Sequence, residues 1–299
     1  MCRGRTARRV LLAFAGSALA LVLGLASYVY AASERRLARV YARPSRGVTL
    51  PSDPASLARG RHLAVHVALC TWCHGDDLGG RQTEDDPWVG RLHASNLTSG
   101  AGGVGARYTD EDFARAIREG VTPEGRSLLL MPSHYFHGLS DADVASIIAW
   151  LRRAPPVESA WPATRAGPLT RVALVLGLAP ELITAEQLAR RAAGTVPASD
   201  PTSERARGAR LVDLASCRVC HHADLSGGLH PLSLPGEPPP PDLRASGPLA
   251  GWSLADFVRA MRTGRTPDGR DLSPEYMPWP RFAGMTDAEL SAIFSYLGI

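Results

Sequence analysis

Two pentapeptides, Cys70-Thr71-Trp72-Cys73-His74 and Cys217-Arg218-Val219-Cys220-His221, begin 147 residues apart and hold four of the five cysteines. Two thiols three positions apart can each add to one vinyl group of a porphyrin, and the adjoining imidazole is then held against the ring as an axial ligand of the iron. The pattern predicts two covalently attached haem c groups. Its rivals fit less well. Zinc ribbons place their Cys pairs roughly 15–20 residues apart, whereas Cys73 and Cys217 are 144 positions apart. A redox disulfide of the thioredoxin type needs a βαβ pattern around the pair, and neither segment has one. With 9 His in 299 residues, a histidine would follow both pairs by chance about once in a thousand sequences.

A haem iron with one histidine has a sixth position to fill. Met131 and Met277 are the candidates. They lie 61 and 60 residues after the first cysteine of their motif, and each precedes a proline that stops helix formation. A soft thioether suits haem iron. Met261 and Met285 fall on helical patterns opposite Ile117 and Leu139 of the other half and read as core. His134 and His137 lie near Met131, but their counterparts are Pro280 and Ala283, so a shared architecture cannot use them; both are expected on a loop or helix-start surface. His62, His66, His93, His222 and His230 also lack counterparts and are read as structural or surface residues.

These residues are carried by one unit written twice. Phe113–Gly120 aligns with Phe257–Gly264, Thr122-Pro123-Glu124-Gly125-Arg126 with Thr266-Pro267-Asp268-Gly269-Arg270, and Leu139–Asp143 with Met285–Glu289, at offsets between 144 and 147. Each unit predicts three helices. The first, about Pro54–Leu69 and Thr202–Ala215, runs into the haem motif. The middle one is N-capped by Thr109 or Ser253 with Asp112 or Asp256 three positions on, and the last by Ser140 or Thr286 with Asp143 or Glu289, which are capping-box spacings. No strand is expected among the Gly- and Pro-rich loops. The fold class is therefore all-α: a tail and apolar segment at 1–33, a first haem domain at 54–153, a Pro-rich connector at 154–200 and a second domain at 201–299. Within the connector, Leu169–Ala179 is apolar but too short to span a bilayer. It is expected to pack as a helix on one of the domains, with contact to a membrane surface as the alternative.

Val10–Ala32 carries no charge, and 23 such residues can cross a hydrocarbon layer as a helix. Arg3, Arg5, Arg8 and Arg9 precede it and favour the cytoplasmic face, which places the body on the periplasmic side of a single-pass anchor in the cytoplasmic membrane. A cleaved signal is the alternative, although the stretch exceeds the usual h-region and Val29-Tyr30-Ala31 is a poor cleavage site. Cys2 has no His beside it and is given no role. The formal charge of +4 equals these four arginines, leaving 29 basic and 29 acidic side chains. A body without net charge lacks the basic footprint of a nucleic-acid binder.

C-x-x-C-H, a Phe-centred helix, T-P-[ED]-G-R and Met-Pro before a short C-terminal helix together resemble class I cytochrome c. The doubled, anchored form is similar to the multihaem cytochrome c subunits of bacterial alcohol, gluconate and sugar dehydrogenases. Three-haem members of that group carry a third C-x-x-C-H, which this sequence does not show. The resemblance implies that the N-terminal helix of each unit crosses the C-terminal one, Gly60 or Gly208 allowing close approach with Trp150 or Tyr296 facing it. It also implies electron transfer from a membrane or periplasmic dehydrogenase, or a quinol-linked donor, to a soluble carrier or oxidase. In this expectation Cys70, Cys73, His74 and Met131 hold one haem, and Cys217, Cys220, His221 and Met277 the other. A matching His and Met pair at both sites favours electron transfer over catalysis; a dihaem peroxidase, the alternative, needs an iron that opens. No residues are left for the signalling module of a haem sensor.

Overall fold

The structure, a computed structural model, describes residues 3–42, 47–193, 203–229 and 238–299; Cys2, His230 and the Val196–Pro201 part of the connector lie outside them. The chain opens with helix α1, Arg3–Leu37. From Ala7 it is long and apolar enough to cross a membrane, with mean hydropathy 2.3 in its most apolar window and none of that window buried. The first unit follows as α2 (Pro54–His62), a π-helical turn (Leu63–Val67), α3 (Cys70–His74), strands β1 (Arg81–Asp86) and β2 (Gly90–Ala94), α4 (Asp110–Glu119), α5 (Ser133–Phe136) and α6 (Asp141–Leu151). The connecting region holds β3 (Arg165–Ala166), α7 (Pro168–Leu176) and α8 (Thr184–Ala193). The second unit is α9 (Glu204–Leu214), α10 (Cys217–His221), α11 (Leu254–Thr263), α12 (Trp279–Phe282) and α13 (Asp287–Leu297).

The same helices thus recur in the same order, and the caps explain their starts. Asp112 and Asp256 close full capping boxes on Thr109 and Ser253. Glu289 does so on Thr286, but Asp143 turns to Arg59 (3.0 Å) and leaves Ser140 with half a box. Helix α2 packs on α6 and α9 on α13. A Cβ on Gly60 would fall on the Ser146 carbonyl, and one on Gly208 on the Ala292 carbonyl and, at 2.8 Å, the Tyr296 Cβ. The expected crossing therefore holds in both units. Tyr296 faces its glycine; at Gly60 the three nearest atoms belong to the backbone of Ser146 and Ile147. One apolar core runs through both units, from Leu63, Phe113, Val144 and Ile148 to Val212, Phe257, Leu290 and Ile293.

Three departures from expectation have physical causes. The first helix does not run regularly to Leu69, because Gly60 to Leu69 is one residue longer than Gly208 to Ser216. The extra residue is absorbed as the π-turn at Leu63–Val67. The absence of strands is also corrected: β1, β2 and β3 form a three-stranded antiparallel sheet, with Arg81 opposite Ala94, Asp86 opposite Gly90 and Gly90 opposite Ala166. Its first strand, Arg-Gln-Thr-Glu-Asp-Asp, is polar throughout and shows no alternation to betray it. Finally, α7 packs on α1 as well as on the first unit, burying Leu174 with Tyr41, Val121, Leu182 and Ile183 while part of its apolar face stays exposed.

Candidate haem-binding sites

Each C-x-x-C-H segment is a single helical turn entered through a left-handed residue, Leu69 (φ 51°) or Ser216 (φ 54°). It is left through another positive φ, at Gly75 (81°) or His222 (66°). Left-handed conformation costs a non-glycine residue roughly 1–2 kcal/mol, so its repetition at Leu69, Ser216, His222, Leu78 (62°) and Leu225 (64°) marks a backbone held by its surroundings. The amides of Gly80 and Gly227 donate to the carbonyls of His74 and His221 (2.9 and 3.0 Å), and those of Leu97 and Leu243 to Leu78 and Leu225 (2.8 and 2.9 Å). Two different sequences thus bend alike around one motif.

The histidines are set in the same way. His74 Nδ1 lies 2.7 Å from the Ser95 carbonyl oxygen, and His221 Nδ1 lies 2.8 Å from that of Pro241. A carbonyl only accepts, so in both rings Nδ1–H donates and Nε2 keeps its lone pair, with no hydrogen-bond partner among the described residues. This arrangement fixes tautomer and ring orientation for a metal-ligating imidazole. Burial holds both histidines below their ordinary pKa, and therefore neutral, as coordination requires. Burial also pushes the Cys70 and Cys217 thiols up to about 12. Cys70, Trp72, Leu97 and Met131 pack on the core in the first unit, and Cys217, Leu243, Trp252 and Met277 in the second. Among the described residues no three His, Cys, Asp or Glu side chains gather as an ion site, so the two Cys pairs do not form a ribbon-type tetrahedron. The donor set fits a porphyrin tethered by two sulfurs and held from one side by imidazole.

Met131-Pro132 and Met277-Pro278 share a backbone as well. Pro132 (φ −82°, ψ 48°) and Pro278 (φ −75°, ψ 47°) are inverse γ-turns, in which the amides of Ser133 and Trp279 reach back to the Met131 and Met277 carbonyls (2.8 and 2.7 Å). Both side chains are half-buried against the core.

The remaining histidines take roles that their unpaired sequence positions did not show. His134 is buried rather than on the surface, 2.9 Å from Glu181 and stacked near Tyr135. His137 is half-exposed, with Glu119 at 3.3 Å. His93 meets the Thr164 hydroxyl (2.9 Å). His62 and His66 join the two units: His62 Nε2 is 2.9 Å from Glu289, and His66 Nδ1 is 2.8 Å from the Arg281 carbonyl under Gly284, where a Cβ would strike its ring. Arg281 also reaches Asp76 and Thr71. The carbonyls of Ser95 and Pro241 escaped the sequence reading because any residue supplies a carbonyl. Their one signal is position, immediately before the aligned Asn96-Leu97-Thr98 and Asp242-Leu243-Arg244.

A cysteine pair followed by a carbonyl-pinned histidine is the donor set that a c-type haem requires. Residues 205–298 match the family described as Cytochrome c. The chain is similar to the fructose dehydrogenase cytochrome subunit of Gluconobacter japonicus, 29% identical over 86% of this chain and 55% of that protein. It is similar also to the gluconate 2-dehydrogenase cytochrome c subunit of Pantoea cypripedii (27%, over 91% and 59%). With the cytochrome c subunit of the quinone alcohol dehydrogenase of Gluconacetobacter polyoxogenes it shares 27% identity over 83% and 57%. The chain spans less than two thirds of the length of each of these relatives.

Proposed function

We propose that this chain is a dihaem electron-transfer subunit, held at the outer face of the cytoplasmic membrane by α1, that takes electrons from a dehydrogenase or quinol-linked donor and passes them to a downstream carrier or oxidase. The observation that carries the reading is the repetition of a whole site on two backbones: left-handed entry, Cys pair, carbonyl-pinned histidine and Met-Pro γ-turn. Each haem supplies a one-electron iron couple. Cys70 and Cys73 would tether one through thioethers while His74 and Met131 would hold its iron; Cys217, Cys220, His221 and Met277 would act likewise on the other. Apolar side chains pack beside each site, which limits the solvent that must reorganise when the charge changes. On this reading the anchor is 1–33, the haem domains are 54–153 and 201–299, and the connector is 154–200. Arg281, three residues beyond Pro278, reaches Thr71 inside the first haem motif (3.4 Å), which supports electron passage between the sites. A dehydrogenase partner is supported by the relatives, each a cytochrome subunit of a dehydrogenase, which lend nothing to the peroxidase alternative.

The test is covalent stoichiometry. Chain matured with a cytochrome c assembly system and then denatured should retain two haems by pyridine haemochrome assay, and Cys217→Ala with Cys220→Ala should retain one. A single haem in the parent chain overturns the dihaem reading.

A further inference from the structure

The connector helix α7 presents an apolar face that no described residue covers, and its surroundings identify what does. Leu169, Val172 and Leu176 follow helical spacing on one side of α7 and are 56%, 39% and 65% exposed. Trp88 joins them at 62%. Its exposure is built in: the Asp86 carboxylate accepts from the amides of Trp88 and Val89 (2.7 and 2.8 Å), turning the β1–β2 loop outward. The Leu169 amide donates to the Trp88 carbonyl (2.9 Å), and Gly90 and Gly167 meet so closely that a Cβ on either would overlap the other's backbone. Trp88 and the start of α7 are therefore one rigid piece.

That piece is fastened to the end of the membrane-spanning helix. Arg171 lies 4.3 Å over the Tyr30 ring and bonds Ser33 (2.9 Å) and Glu34 (3.0 Å) of α1, while Arg36 of α1 bonds the Leu174 carbonyl and Glu186. Tyr28 and Tyr30 are exposed, and so are Arg35 and Arg39 just beyond. Tyrosines followed by arginines mark where a spanning helix passes from hydrocarbon to headgroups. Arg171, which covers Tyr30, lies two residues after Leu169, whose amide bonds the Trp88 carbonyl, so the start of α7 is tied to that level.

We infer that Trp88 and the Leu169–Leu176 face of α7 form a lipid-interface anchor, which seats the first haem unit on the leaflet that α1 leaves and fixes its orientation to the membrane. The inference rests on the reading of α1 as a membrane anchor. Exposed tryptophan and leucine beside surface arginines suit the boundary between acyl chains and anionic headgroups, and continuity with α1 selects lipid over a protein partner. The clamp through Arg171 and Arg36 leaves the face no freedom to turn away from the bilayer.

The test uses the full haem-loaded chain in nanodiscs of phosphatidylethanolamine and phosphatidylglycerol, with Cys2→Ser and a nitroxide at Val172→Cys. Labels at Leu19→Cys in α1 and Glu275→Cys in the second unit serve as references. The Val172 label should collide with oxygen several-fold more, and with a water-soluble nickel chelate several-fold less, than the Glu275 label; adding Leu169→Glu and Leu176→Glu should return it towards the aqueous value. A lipid-exposed Leu19 label beside an aqueous Val172 label overturns the anchor alone. An aqueous Leu19 label overturns the reading of α1 and the anchor with it. A Val172 label immobilised and shielded from both colliders shows a protein contact there and overturns the anchor.

Discussion

The two haem units share a backbone plan and differ in what surrounds it. The first is wrapped. Asn96, fully buried, donates to the carbonyls of Val157 and Ser159 (2.7 and 3.2 Å), and Trp161 donates to Gly79 (2.9 Å), so the start of the connector is stitched over the haem motif. Past α7 the connector returns: Thr184 bonds the Met131 carbonyl and the Leu130 amide donates to Leu182 (3.1 Å). Even the Thr122–Arg126 loop is used, the Tyr41 amide donating to Gly125 (2.8 Å). The second unit has none of this among the described residues. Its loop methionine is held by local bonds, Met277 to Ser273 (2.9 Å) and Trp279 to Leu272 (3.0 Å), and Val219, Cys220 and Tyr276 are exposed. On the proposed dihaem reading, matching sites in unequal shells suit unequal duties: an enclosed haem that exchanges electrons inside an assembly, and an open one that meets a partner.

The largest expected effect breaks or confirms this difference at the ligands. Met131→Ala and Met277→Ala should each abolish the Met–iron absorption band of one haem only and lower its potential by roughly 0.1–0.3 V, within the ~0.8 V that axial ligands span. They should differ in access. Added imidazole should bind the Met277→Ala chain faster, because no described residue of the connector closes over that loop. Equal binding rates would remove the enclosed-versus-open contrast, and an unchanged band in either variant would remove that methionine from the ligand set.

A smaller effect separates the shells at aligned residues. Asn96 also accepts from the Thr98 amide and hydroxyl (2.9 and 2.8 Å), whereas its counterpart Asp242 chelates Arg244 at the surface (2.8 Å). Asn96→Ala strands buried carbonyls and should cost about 3 kcal/mol. Asp242→Ala removes an exposed pair and should cost less than about 1 kcal/mol. Denaturant titration followed by haem absorption reads both, and similar losses would mean that the connector does not brace the first site.

How much of this was legible follows from where the information resides. The Cys-Cys-His and Met-Pro segments and the caps were readable because each needs a particular side chain at a fixed spacing, and the Gly60/Gly208 crossings followed from the resemblance to class I cytochrome c. The shell was not. It is built from backbone carbonyls, a polar sheet without hydrophobic alternation, and contacts such as Thr184 to Met131 that join residues 53 positions apart. The joint between units escaped for a further reason. Comparison of the repeats isolated what the halves have in common, and it therefore set aside His62 and His66 as lacking partners, although a contact between halves must use what they do not share.

The last predicted effect lies at that joint. Asp143 and Glu289 occupy the same capping position, yet Asp143 turns to Arg59 within its own unit, while Glu289 accepts from the Thr286 amide (2.8 Å) and from His62 of the other unit (2.9 Å). Burial alone would raise the Glu289 pKa, but the His62 hydrogen bond, the Thr286 amide and the attraction of His62 outweigh it and bring the carboxyl from its ordinary 4.5 to about 2. A folded-state pKa below the unfolded one contributes stability that is complete above pH 4.5 and is lost as pH falls towards 2. With the side chain 14% exposed, the contribution should be about 1–2 kcal/mol. Glu289→Gln should flatten the acid limb of a stability-against-pH curve by that amount and slow electron passage between the haems, because it loosens the contact that holds Arg281 against Thr71. Asp143→Asn should leave the inter-haem rate untouched. Equal effects of the two variants on that rate would mean that Glu289 serves only as a helix cap and that the joint is held elsewhere.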